Sequence, residues 1–293
     1  MSSSESSAKL TERNILGFGH LISGNIKNRF DTNERAVYAQ YSINNIKNTY
    51  IRLDLDYAND YNNDSKRSIN INRPFYSVIT KNAGGAFFEN RLRTEQFPVL
   101  DTISLQNVSY DFQEYWYGRA FKINPKSNPE RYFNNMVLAL TYNQKVFGQM
   151  PEAVLDPTSY FSNEKNRIGM IGFSKQTCYQ DKFVFNYNIT EDIPYGENIA
   201  LIVGHQEKNS NSRLYTGLSV SFGRKYSFGY ASGFAEWGSF YDAGLTEQTT
   251  FKLGLNYFSP LISWGNWRFR QFVKPTYVWG NNRDDSFKDR LTL

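Results

Sequence analysis

Apolar and polar residues alternate one for one in stretch after stretch of this chain, and that period constrains its fold more than any other feature. In Thr49–Tyr57, Ile51, Leu53, Leu55 and Tyr57 alternate with Arg52, Asp54 and Asp56. Successive side chains of a strand point to opposite faces, so this order gives one strand an apolar stripe and a polar one. A helix would gather Arg52 and Asp56 on one side but scatter the apolar set among them. The same alternation returns in Val37–Ile43, Phe183–Ile189, Leu214–Phe222 and Phe251–Tyr257. It returns again where Trp267, Phe269 and Val273 face away from Arg268, Arg270 and Lys274. The chain therefore reads as all-β.

Which all-β architecture follows depends on the second face. A soluble sandwich hides its apolar face and covers the other with long charged groups. Here the second face is mostly Gly, Ser, Asn and Thr, as in Gly217, Ser219 and Ser221 or Gly254 and Asn256. Small polar residues suit the interior of a barrel, where side chains from several strands converge. The 23 Phe, 21 Tyr and five Trp suit the opposite, outward face and its aromatic girdles. Mean hydropathy is only −0.58, and no apolar run approaches the roughly 20 residues of a spanning helix. A helical membrane protein is thereby excluded, whereas a membrane barrel is not, because alternate residues dilute its average. The expected fold is an antiparallel, up-and-down transmembrane β-barrel over residues 13–293, preceded by a disordered or linker segment over residues 1–12.

Polar punctuation separates the strands at Asn28–Asn33, Asn59–Lys66, Asn124–Arg131, Gln206–Ser212 and Asn281–Asp285. Gly148–Asn163, with Pro151 and Pro157, is the longest aperiodic segment and reads as an external loop. The polar start, Met1–Lys9, has no apolar core of a signal peptide, so the chain reads as an internal piece of a longer exported precursor.

Net charge is +5, with basic residues scattered and not gathered on one element. That distribution argues against a nucleic-acid partner. A lone Cys178 gives no disulfide framework and reads as a packed small residue. The two histidines, His20 and His205, lie at strand ends without a Gly-x-Ser-x-Gly elbow, so no catalytic role is expected. No carboxylate lies at ligand spacing from either, so no metal is expected, and nothing points to a cofactor. Asn59–Asp64 lacks the glycine and terminal glutamate of a calcium loop and reads as a solvated turn. Asp54 and Asp56 share a strand face with Arg52, which fits a ladder of lumenal charges better than a glycosidase pair. Arg268, Arg270 and Lys274 form a second such row.

Several segments, taken in order, resemble one family. Arg13-Asn14-Ile15-Leu16-Gly17-Phe18-Gly19-His20 resembles the first barrel strand of the bacterial surface-antigen family, the BamA/TamA-like outer-membrane assembly proteins. Tyr41–Tyr50 is similar to that family's second hairpin, and Asn72–Ser77 followed by Lys81–Gly85 to its Arg-Pro-Phe … Gly-Gly passage. Gln113–Arg119 and Glu191–Gly196 look like further segments of it. The resemblance implies POTRA domains upstream and closing strands downstream, so that about 11–13 strands of an expected 16 lie here. It also implies a bacterial outer-membrane location and a lateral gate at Asn14, Gly17, Gly19 and Gly24, where glycine loosens strand pairing. The implied activity is inserting β-barrel clients into the membrane or translocating a passenger. Lipid, unfolded outer-membrane proteins and accessory lipoproteins are the implied partners. A passive solute channel and a soluble all-β binding protein are the alternatives.

Overall fold

The structure is a computed structural model; it describes residues 4–77, 79–99, 102–123, 133–186 and 189–283. Five short strands come first: β1 (Glu5–Glu12), β2 (His20–Arg29), β3 (Glu34–Ile43), β4 (Arg52–Asn59) and β5 (Ser65–Arg73). Eight longer ones follow: β6 (Asn82–Val99), β7 (Thr102–Lys122), β8 (Phe133–Gln149), β9 (Glu164–Lys182), β10 (Thr190–Lys208), β11 (Asn211–Tyr226), β12 (Gly229–Asp242) and β13 (Leu245–Phe258). β14 (Ile262–Trp264) and β15 (Trp267–Phe269) make a separate hairpin, and β16 (Phe272–Val273) and β17 (Thr276–Asn281) both return to β13. The main sheet has 15 strands, each antiparallel to its neighbour in sequence from β1 to β13. Among the described residues β1 has no partner on its outer side, so the sheet is open.

The register explains why alternation recurs along the chain. Leu138, Ile171, Leu201, Leu218, Trp237, Phe251 and Trp279 are aligned partners on seven adjacent strands. On the other face Gln40, Asp56, Ser68 and Glu89 are aligned in the same way. A one-residue slip anywhere would mix the two rows, which is why the pattern specifies register so strongly.

The apolar face is the exposed one. Leu201 is 51% exposed, and Leu140, Ile69, Ile71 and Phe173 are exposed as well. Ser42, Asp54, Ser68, Glu95 and Gln206 are buried. A few apolar residues join them inside, chiefly Phe97 and Val108, against which Phe161 packs. Phe161 belongs to the segment between β8 and β9, so this segment, expected as an external loop, lies against the more enclosed face of the β6–β7 hairpin.

Four local expectations are corrected. Residues 5–12 are a strand and not a linker, because the backbone ladder to β2 is backed by polar cross-strand pairs. Ser7 bonds Asn25 at 3.0 Å and Thr11 lies 2.9 Å from Ser23. Residues 13–19 are the turn after that strand, not a strand themselves. Phe183–Asn186 bends between β9 and β10, since the Glu191 carboxylate draws the Val184 and Phe185 N–H groups away from any ladder at 3.0 and 2.9 Å. The stretch 267–274 is broken: β15 folds back on β14, and only Phe272–Val273 rejoins the sheet. One hairpin is tighter than its punctuation implied. Asn209 and Ser210, both at positive φ, close β10–β11 in a two-residue turn of the kind that matches strand twist. The punctuation at Asn124–Arg131 and the end of Asn281–Asp285 lie outside the described residues.

Candidate functional site

The enclosed face carries a hydrogen-bonded polar ladder. Asp54 lies on β4 between Ser42 of β3 and Asn70 of β5. Its carboxylate accepts from Ser42 Oγ at 2.7 Å, from Arg52 Nε at 2.8 and 2.9 Å, and weakly from Asn70 Nδ2 at 3.5 Å. Asp56, one step along the same face, accepts from Ser68 Oγ at 3.3 Å. Further round, Glu89 accepts from Tyr110 Oη at 2.9 Å and pairs with Lys66 at 3.3 Å. Arg213 joins Glu247 at 3.0 Å and lies over the Phe240 ring. Arg52, Asp54 and Asp56 thus share one face, as their spacing implied; Arg52 pairs with Asp54 along β4, and the two carboxylates accept from the neighbouring strands.

The four candidate gate residues do not lie together on a first strand. Asn14, Gly17 and Gly19 form the β1–β2 turn, while Gly24 sits inside β2, paired with Leu10 and Ala39. Asn14 Oδ1 accepts from the Gly19 N–H at 2.7 Å. Gly17 and Gly19 have φ of +80° and +69°, values at which a Cβ is strained. The β3–β4 turn repeats this geometry. Asn45 Oδ1 accepts from the Tyr50 N–H at 2.8 Å, and Lys47, Asn48 and Tyr50 take positive φ where Leu16, Gly17 and Gly19 do. Among the described residues one open edge of the sheet is β1 itself, eight residues that sequence reasoning passed over; β16 and β17 lie at the other.

The second basic row is dispersed. Arg270 is buried and donates to Asp181 at 3.5 Å, with its guanidinium 5.1 Å from the Phe258 ring. Arg268 lies over Phe183 at 5.3 Å and Lys274 over Phe185 at 5.9 Å. Arg268 and Lys274 address the 183–186 turn, whereas Arg270 pairs with an acid of a distant strand, Asp181 of β9. A cleft of about 670 Å³ separates that turn from the β14–β15 hairpin.

His20 accepts or donates at Tyr41 Oη, 2.7 Å away. His205 lies between Ser212, 3.1 Å from Nε2, and Glu207, 3.9 Å from Nδ1, an order that resembles a nucleophile–base–acid relay. Arg167 intervenes: Nη1 lies 3.4 Å from Nδ1 and 2.6 Å from Glu207. With the guanidinium donating to Nδ1, Nε2 keeps its hydrogen and faces Ser212 as a donor, the wrong tautomer for a base. Among the described residues no group of three His, Cys, Asp or Glu side chains is placed to hold a metal. No helix is long and apolar enough to cross a membrane, which says nothing of strands. No family model matches the chain, and neither a curated protein nor a solved structure is significantly similar to it.

Proposed function

We propose that the chain is the N-terminal part of an outer-membrane β-barrel of the BamA/TamA-like kind, whose open first strand receives strands of client proteins. One observation carries this reading: polarity is inverted, with Ser42, Asp54, Ser68 and Gln206 enclosed and Leu140, Ile171, Leu201 and Leu218 exposed. In water that arrangement would leave a many-stranded greasy surface bare, far larger than the patches soluble proteins carry. In lipid it is the required one. The height of the greasy band agrees. On β9 it runs from Arg167 to Lys175, and on β10 from Glu197 to His205. Eight steps of ~3.3 Å span about 26 Å along a strand, or about 20 Å once strands tilt by ~40°, against an apolar band of about 25 Å in outer-membrane barrels.

β1 supports the assembly half of the reading. Among the described residues no strand lies on its outer side, and in hydrocarbon the backbone groups of such an edge must find a partner. An incoming strand can add to such an edge through main-chain hydrogen bonds alone, without sequence specificity. The experiment places a photocross-linker at Ala8 or Leu10 of β1 in the lipid-inserted parent and adds an unfolded outer-membrane protein. Cross-links to the client's terminal strand are expected at these positions and not at Gln40. A membrane-inserted protein that captures no client at β1 contradicts the assembly role.

A second reading, a solute pore, is favoured by the segment between β8 and β9. Phe161 there packs against Phe97 and Val108 on the enclosed face, as a constriction would. Such a protein would conduct ions in planar bilayers and leave client assembly unaffected.

A further inference from the structure

From the cleft between the β14–β15 hairpin and the 183–186 turn we infer a binding site for an anionic, ring-sized ligand: a phosphorylated or acidic sugar. The inference does not depend on the membrane reading, and its failure would leave that reading standing.

Arg270 motivates it. Its side chain is only 5% exposed, yet among the described residues Nε and Nη1 have no hydrogen-bond partner, and the bond it makes to Asp181 is long at 3.5 Å. A guanidinium offers five donors in a rigid fork, and leaving them unmet while buried is costly. Arg270 lines the cleft, as does Arg268. Both atoms are sealed from the cleft, so an oxyanion beside Arg268 would engage them as the Arg270 side chain turns outward, in the forked geometry that arginine makes with phosphate and carboxylate.

The charges around the cleft leave room for an anion. Arg268 and Arg270 line the cleft, Lys274 lies over Phe185, and Asp181 and Glu191 belong to the adjoining strands. Asp181 is engaged by Arg270. Glu191 is taken up by the Val184 and Phe185 N–H groups and by Asn186 Nδ2 at 2.8 Å. Among the described residues, two guanidinium groups in a lining that holds no carboxylate leave the cleft electropositive. The walls select a body for that anion. Phe183, Phe185 and Trp267 present apolar planes, and the Asn266 amide stands at the rim. Planes beside convergent polar groups suit a ring that is apolar on its faces and hydroxylated at its edge.

The test titrates the full chain, in neutral detergent, with glucose 6-phosphate and with glucose by calorimetry. Saturable one-site binding is expected for the phosphate, with glucose at least tenfold weaker. Arg268→Gln, an exposed position, should weaken the phosphate at least tenfold with circular dichroism unchanged. Trp267→Ala should weaken it severalfold, and Arg270→Gln should abolish it. If Arg270→Gln fails to fold, the first two variants still decide. Phosphatidylcholine vesicles with and without lipid A separate the sources. Tighter retention on lipid A vesicles than competition by free glucose 6-phosphate assigns a lipid-borne sugar, and the reverse assigns a soluble one. Absence of saturable binding to both probes, or binding indifferent to Arg268→Gln, overturns the site.

Discussion

Ser42 Oγ donates to Asp54 Oδ1 at 2.7 Å, both side chains buried, while Leu55, the next residue along the strand, is 37% exposed on the opposite face. That pair of strands holds in miniature the property of the whole sheet: hydrogen-bonded groups are enclosed and greasy ones are turned outward. Asp54 also holds Arg52, so its loss would free a hydroxyl, an amide and a cation at once. Asp54→Ala should lower unfolding stability by about 1–3 kcal/mol, read from the urea midpoint of the lipid-inserted protein. Ser42→Ala should cost less, because Arg52 still satisfies the carboxylate.

Leu201 stands at the centre of the exposed row. In a bilayer, Leu201→Arg should cost about 2–4 kcal/mol. At an exposed position in water the same change would stay within about ±0.5 kcal/mol. Urea titrations of the variant in vesicles discriminate the two.

Phe234 of β12 lies across Gly254 of β13, so closely that any Cβ at Gly254 would strike its ring. Gly254→Val should therefore destabilise by about 1–3 kcal/mol through overpacking. Phe234→Ala combined with Gly254→Val should recover part of that loss, which a double-mutant cycle would measure.

Glu191 lies six residues before Glu197, where the greasy band of β10 ends, so it titrates in water. The Phe185 N–H beside its carboxylate, helped by Asn186 and the Val184 N–H, holds it below the ordinary value of 4.5. A depressed carboxyl pKa gives stability that is present above 4.5 and disappears as pH falls through the folded value. The protection of the Val184 and Phe185 amides relative to their intrinsic exchange rates should fall on acidification below that range. In Glu191→Gln it should already be lower at neutral pH and lose that acid dependence.

The strands that were legible in the sequence are those whose two faces differ sharply in chemistry. β3, β11 and β13 show Val37, Leu218 or Leu253 on one side and Gln40, Ser219 or Lys252 on the other. β1 was illegible because Ser6, Ser7, Lys9 and Thr11 give it no greasy stripe; only its ladder to β2 makes it a strand. The Asn14 turn was hidden by apolar neighbours, Ile15, Leu16 and Phe18, that resemble strand residues. Its signal was nevertheless present, since Asn-Ile recurs at Asn45-Ile46 at the head of an identical turn. Arg52, Asp54 and Asp56 share a face by local geometry, so spacing placed them correctly. Arg270 meets Asp181 across 89 residues of sequence, a contact no period encodes.

The central claim concerns what the outward residues touch, and site-directed spin labelling measures it most directly. With Cys178 replaced by serine, nitroxides are placed singly from Asn198 to Gly204 on β10 in the lipid-reconstituted protein. Collision with oxygen, which concentrates in acyl chains, should peak at 199, 201 and 203, and collision with a water-soluble nickel chelate at 198, 200, 202 and 204. Accessibility to the nickel chelate that is equal along the strand, or highest at 199, 201 and 203, would contradict the account.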